Sequence, residues 1–197
     1  MSINYLSAPN LTLGYENSIV IDDLELSLDD SKDYQIIGGN GAGKSTLLNF
    51  ISNNFHGNIF DSTVELKKVR ILEISSDFTL IENLSLLENC MYFTKNTISE
   101  KDVYKALDEY EITPFKNDLL HKFSSGMIKR SELAIAMLIN PDVLCIDEPL
   151  NYLDKKGSEI LAESLKKRSN DGRSTILSSQ EPLNLFIRKC ETIDLNV

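Results

Sequence analysis

Residues 36–46 read IIGGNGAGKST. Two β-branched residues run into a glycine-dense loop, the loop closes on Lys44-Ser45-Thr46, and LLNFI continues with helical spacing. A strand followed at once by a helix is half of the alternation that builds a parallel sheet covered on both faces, so this stretch restricts the fold more than any other. Gly38, Gly43, Lys44 and Ser45 fit the pattern G-x-x-x-x-G-K-S/T. Glycines let the backbone curl until several N–H groups point into one concavity. The helix that follows adds its positive N-terminal end. In this pattern Lys44 reaches the β- and γ-phosphates of a nucleotide, and Ser45 ligates Mg²⁺. A glycine-rich helix start with no ligand is the bland alternative; the strand before and the helix after weigh against it.

The rest of the chain continues the alternation. LTLGYENSIVIDDLELSL predicts two N-terminal strands with a turn at Gly14–Asn17. YQIIG is a short apolar strand feeding the loop, KSTLLNFISNN a helix, and STVELKKVRILEIS strand again. From DFTLIENLSLLENCMYF through SEKDVYKALDEYEI the period becomes helical, with Ser99-Glu100-Lys101-Asp102 resembling a capping box at the start of the second helix. SSGMIKRSELAIAMLIN is a helix stopped by Pro141, VLCID a fully apolar strand, KKGSEILAESLKKRS a helix and STILSS a final buried strand. We find no repeat, low-complexity tract or linker. The long helical block in the middle reads as an insertion.

Bulk properties exclude several classes. At 197 residues the chain suits one domain with a sizeable core. Thirty acids against twenty bases give a net charge of -10, which argues against a nucleic-acid binder; the basic run KKR at 166–168 reads as solvated helix surface. Cys90, Cys145 and Cys190 are too few and too far apart to suggest a disulfide framework or a zinc site, and a reducing cytosol is the simplest compartment. MSINYLSAPN carries no secretory pattern, and no apolar run approaches the length of a membrane span. Membrane association is expected through a partner.

A phosphate loop alone fits kinases, GTPases and motor ATPases equally, and the second half of the chain decides among them. VLCIDEP, residues 143–149, is a buried strand ending in Asp147-Glu148. A carboxylate at the carboxyl end of a parallel strand lies where such sheets bind ligands. Asp147 there can hold Mg²⁺ through water, and Glu148 can orient and deprotonate an attacking water.

With these residues in view, the sequence resembles an ATP-binding cassette (ABC) transporter nucleotide-binding subunit of the small exporter-like type, over nearly the whole chain. GGNGAGKST is similar to the family's phosphate loop, so Asn40, Gly41, Ala42, Gly43, Lys44, Ser45 and Thr46 are implied to bind ATP. FSSGMIKR, residues 123–130, stands where the family's signature L-S-G-G-Q lies. Phe123 replaces Leu, Ser125 the first Gly and Met127 the Gln, while Ser124 and Gly126 are kept. NYLD, residues 151–154, resembles the D-loop, with Asn151 and Asp154 implied to meet a partner cassette. Tyr15 fits the aromatic that stacks on adenine. The fold implied is α/β: a three-layer P-loop NTPase core with a parallel sheet (about 1–76 and 135–197), an N-terminal antiparallel β subdomain and an inserted α-helical subdomain (about 77–134).

The signature accounts for pairing. Ser124 and the N–H groups around Ser125, Gly126 and Met127 open a helix and so form a second anion site. If the insertion projects away from its own phosphate loop, that site serves another subunit, and two cassettes close head to tail on two ATP molecules. The γ-phosphate then favours one state, and hydrolysis removes the preference.

Two positions depart from the family. NLSLLENC aligns so that Ser76 takes the place of the Q-loop glutamine, which approaches Mg²⁺ and the attacking water. TILSSQE resembles the final strand followed by S-S-H, with Gln180 at the switch histidine. A glutamine amide donates a hydrogen bond to a γ-phosphate oxygen but does not titrate. The resemblance therefore implies an ATPase with weakened hydrolysis: Glu148 and Gln180 at the reacting end, Ser45, Asp147 and Ser76 around the metal. Its implied partners are a membrane-spanning permease and a second cassette, identical or different, with no nucleic acid. The chain is expected in the cytoplasm, peripheral on the inner face of the membrane, driving export. A soluble ATP-gated binding module without transport is the alternative.

Overall fold

The alternation at the N-terminus becomes a long hairpin. β1 (Asn4–Tyr15) and β2 (Ser18–Asp29) pair antiparallel, with Tyr15 opposite Ser18 and the turn at Glu16 and Asn17. Glu16 takes the left-handed conformation that the turn needs, at φ 52°. Tyr5, Leu11, Leu13, Leu26 and Leu28 are buried along this hairpin. The computed structural model describes residues 4–76, 78–185 and 190–196. Asp77, at the expected start of the insertion, lies outside the described residues.

β3 (Tyr34–Ile37) is buried throughout and leads into the glycine loop and α1 (Lys44–Ser52). The chain then adds two short strands, β4 (Asn58–Asp61) and β5 (Glu65–Leu66), both paired with β1 and both exposed. β4 falls between the expected helix and the expected strand stretch, where no element was read, because its residues face solvent and carry no alternation. β6 (Ile71–Ile74) follows.

α2 (Leu86–Phe93) and α3 (Glu100–Glu109) form next. The helical expectation for residues 78–85 is not met. Asn89, fully buried, accepts from the Ile81 N–H at 2.8 Å and donates to the Ile81 and Ser85 carbonyls at 3.1 and 3.0 Å. The Ile81 N–H and carbonyl are thereby drawn to a side chain, while the Ser85 carbonyl also takes the first bond of the α2 ladder, from the Asn89 N–H at 2.9 Å. The helix instead begins at Ser85, where a full capping box with Glu88 forms. At Ser99 the cap is present as expected, the hydroxyl accepting from the Asp102 N–H.

α4 (Ser125–Ile139) ends at Asn140, left-handed at φ 46°, before Pro141. β7 (Val143–Asp147), α5 (Lys155–Asn170) and β8 (Ser174–Ser179) come next. β8 is not the last strand. β9 (Glu191–Asp194) follows, exposed and polar enough to escape a sequence reading.

The parallel sheet runs in the order β6-β7-β8-β3-β9, and the antiparallel sheet in the order β2-β1-β4 with β5 also on β1. One buried cluster joins Leu47, Leu48 and Ile51 of α1 to Ile36, Cys145 and Ile176 of the parallel sheet and to the hairpin leucines. Burying a side chain of that size contributes about 1.5–3 kcal/mol. This layered α/β arrangement is the P-loop NTPase core with its antiparallel sheet.

The chain divides into two compact units. The first comprises Met1–Ser75, Asp142–Pro149 and Leu165–Val197; the second comprises Ser76–Pro141 and Leu150–Ser164. In the second, Val103 and Leu107 of α3 and Leu133–Ala136 of α4 are buried.

Candidate functional site

β3 sits between β8 and β9, so the loop leaving it starts from a strand paired on both edges. Gly38 donates its N–H to the Ser179 carbonyl at 3.3 Å. A Cβ at Gly38 would lie 2.9 Å from the Ala42 Cβ, which excludes any side chain there without movement. Gly43, at φ 94°, is the left-handed N-cap of α1. The first turn of α1 has neither a side-chain cap nor an acidic residue, which leaves its positive end open to an anion.

Lys44 is 8% exposed. Its ammonium donates to the carbonyls of Gly38 and Gly39 at 2.9 and 3.1 Å and stands 3.9 Å from the Glu148 carboxylate. The Ser45 hydroxyl donates to Asp147 Oδ2 at 2.7 Å. Thus four of the charged or polar side chains expected on the phosphate loop and the apolar strand meet in two pairs: Ser45 with Asp147, Lys44 with Glu148. Asn40 and Gly41 are exposed on the loop, and Thr46 is buried in the first turn of α1.

Two residues that sequence reasoning did not single out complete this site. Ser178 on β8 lies directly across from Asp147 and donates its hydroxyl to Asp147 Oδ1. Asn196 accepts from the Gly39 N–H at 2.9 Å and so ties the loop to the segment after β9. The only sequence signal for Ser178 was a pair of hydroxyls closing an otherwise apolar strand.

Glu148 has φ 44°, a left-handed conformation that costs a non-glycine residue about 1 kcal/mol or more. Its N–H donates to the Ser178 carbonyl at 3.2 Å and to the Ser178 hydroxyl at 3.3 Å. Gln180 is exposed immediately after β8, and Ser76 is exposed in the turn after β6. Tyr15, 42% exposed at the end of β1, packs edge-on against Phe55 with centroids 5.5 Å apart.

In the second unit, Ser124 is the N-cap of α4 and accepts from the Met127 N–H at 3.3 Å. Ser125, Gly126 and Met127 form that first turn. A Cβ on Gly126 would come to 3.0 Å from the Tyr152 carbonyl, so any side chain there would push against the 151–154 segment. Arg130 then donates to Asp154 at 2.7 Å and to the Tyr110 carbonyl at 3.2 Å. The Gly157 N–H, which Asp154 accepts at 2.7 Å, and the Arg130 guanidinium hold the Asp154 carboxyl below its ordinary range. Asn151 is exposed beside it.

The sequence profile of the family described as ABC transporter matches residues 21–151, more than half of the chain. The chain belongs to the ABC transporter family. It is an ATP-binding cassette, and the cassettes of this family are ATPases. It is 29% identical over 199 residues to the tungstate uptake system ATP-binding protein TupC of Peptoclostridium acidaminophilum, covering 95% of this chain and 92% of that protein. It is 28% identical over 181 residues to the lantibiotic transport ATP-binding protein SrtF of Streptococcus pyogenes, covering 88% and 79%. Among solved structures, the fold is similar to a dimeric ATP-binding cassette, MJ0796, in a post-hydrolysis state bound to ADP and Pi. That likeness has a TM-score of 0.75 at 23% identity over 89% of this chain and 88% of that one. Among the described residues no helix is long and apolar enough to cross a membrane.

Proposed function

We propose that this cassette binds Mg-ATP between two cassettes arranged head to tail and drives a membrane-spanning permease, slowly and in the direction of export. The observation that carries the reading is the meeting of Ser45 with Asp147 at 2.7 Å beside Lys44 and Glu148. One hydroxyl and one carboxylate oxygen are a donor set suited to a hard cation, so Ser45 and Asp147 would hold Mg²⁺. Bound there, the ion neutralises charge on the β- and γ-phosphates.

The chain's own groups supply the rest. The Lys44 ammonium has three donors, keeps two on the loop carbonyls and turns the third to the phosphate oxygens. Glu148 accepts a proton from the attacking water. Gln180 donates one hydrogen bond to the γ-phosphate and takes no proton, and Ser76 is too short to replace a glutamine at the metal; both slow the reaction. Tyr15, backed by Phe55, stacks on adenine. The N-terminus of α4, with Ser124, Ser125, Gly126 and Met127, closes on the partner cassette's ATP, while Asn151 and Asp154 meet that partner. The insertion at about 77–134, within a core of about 1–76 and 135–197, receives a cytoplasmic segment of the permease and holds the cassette on the inner face of the membrane. The F-S-x-G-M form of the signature supports export.

The test is steady-state phosphate release and light scattering on the parent and Glu148→Gln, with membranes solubilised in parallel for co-purification of a polytopic partner. Glu148→Gln should release no phosphate and should gain dimer with Mg-ATP, because the base is lost while the γ-phosphate stays. Unchanged release, or a tight dimer without nucleotide, overturns the reading.

A further inference from the structure

We infer that Ser178 is a positioning residue that sets both acidic groups of the site, Asp147 and Glu148, from one point on the neighbouring strand. The inference rests on the reading of Asp147 as the magnesium-side carboxylate and of Glu148 as the base.

β8 is buried along its whole length, and Ser178 is fully buried within it. Two other hydroxyls of this strand serve the backbone: Ser174 donates to the Lys32 carbonyl and Ser179 to the Glu181 carbonyl. Ser178 is different because the parallel register puts it directly beside Asp147. Side chains paired across a sheet stand on the same face, so the hydroxyl has the carboxylate as its neighbour. It donates to Oδ1, and that fixes the rotation of the carboxylate so that Oδ2 turns to Ser45 at 2.7 Å. A free carboxylate would be able to turn either oxygen or neither toward Ser45.

The same residue acts on Glu148. A hydroxyl can donate once and still accept, and the Ser178 oxygen accepts from the Glu148 N–H while the Ser178 carbonyl accepts from it too. That N–H belongs to a residue in the left-handed region, which a neighbouring structure must hold there. One serine thus orders the carboxylate that faces the cation and the backbone that aims the base. Alanine keeps the strand and the Ser178 carbonyl but loses both hydroxyl contacts. Cysteine keeps nearly the same size and is a poor donor, so it should behave as alanine does.

The experiment measures ATP affinity by calorimetry in excess Mg²⁺ and again in EDTA, for the parent, Ser178→Ala, Ser178→Cys and Asp147→Asn. The parent should bind more tightly with Mg²⁺, and Asp147→Asn should lose that gain. In Ser178→Ala and Ser178→Cys the gain should shrink by about three- to tenfold, the size of a weakened charge-assisted hydrogen bond, while affinity in EDTA stays within about twofold. Mg²⁺-independent affinity separates this effect from a loosened fold, which lowers both. The inference is overturned if both Ser178 variants keep the full gain while Asp147→Asn loses it. If Asp147→Asn keeps the gain, the magnesium reading of the site fails, and the role of Ser178 falls with it.

Discussion

Replacing Lys44 with alanine should weaken the empty protein and the nucleotide complex by separate amounts. In the empty protein the ammonium ties together the carbonyls of Gly38 and Gly39 from a nearly buried position. Gly39 is exposed and its carbonyl rehydrates; Gly38 is buried and its carbonyl does not. The loss is therefore close to one hydrogen bond to a charged group, about 1.5–3 kcal/mol. For a chain of this size that lowers Tm by about 3–12 °C. In the complex, losing one charge-assisted contact to phosphate costs a similar amount again, a drop of about 10–150-fold in affinity. Scanning calorimetry with and without ATP reads both numbers. At a concentration about 100 times the parent's Kd, ATP should stabilise the parent by about 2.7 kcal/mol, or about 5–11 °C. A variant that binds about 100-fold more weakly should gain only about 0.4 kcal/mol at that concentration. An ATP-induced shift as large as the parent's would refute the phosphate-loop reading, and an unchanged Tm without ATP would refute the role given to the carbonyl contacts.

Gln180→His should raise turnover of the assembled transporter by up to about tenfold, since it restores a titratable donor at the γ-phosphate; phosphate release no faster than the parent's means that another group already compensates. Asp142 should make the fold acid-sensitive. Burial pushes its carboxyl up, but hydrogen bonds from Arg70 and Arg173 outweigh that and hold it at about 2. A carboxyl lowered on folding stabilises the protein above its unfolded pKa and loses that contribution as pH falls through the folded value, here from about 4 down to about 2. Urea midpoints at both ends of that window should converge for Asp142→Asn and the parent at low pH and differ at high pH.

The parts of the molecule that the sequence disclosed are those where burial and backbone chemistry coincide. The hairpin was legible because hydrophobic alternation flanks a turn with an obvious centre at Glu16 and Asn17. The glycine loop was legible because the spacing itself encodes the geometry. β4 and β9 were hidden for the opposite reason: both are exposed, and β9 reads ETID, so neither shows a buried face to a periodicity search. Residues 78–85 look helical by spacing, but one buried amide, Asn89, takes up both backbone groups of Ile81. An S-x-x-E at Ser85–Glu88 carried the true helix start and was as visible as the S-x-x-D read at Ser99. Ser178 could not be found without register. A serine closing an apolar strand is ordinary until the neighbouring strand puts a carboxylate beside it.

The place of β3 in the sheet also bears on synthesis. Its two neighbours, β8 and β9, lie about 140 and 155 residues further along the chain. At about 5–20 residues per second, the strand that launches the phosphate loop waits about 7–30 s on the ribosome before either neighbour has been made. Through that interval the loop has a helix after it but no flanking strands, and neither Asp147 nor Ser178 faces it until the sheet closes. Pairings this distant in sequence are slow to form. A growing chain of this cassette therefore gains its nucleotide site only once β8 and β9 have been made, and a ribosome stalled before β8 carries a chain without one.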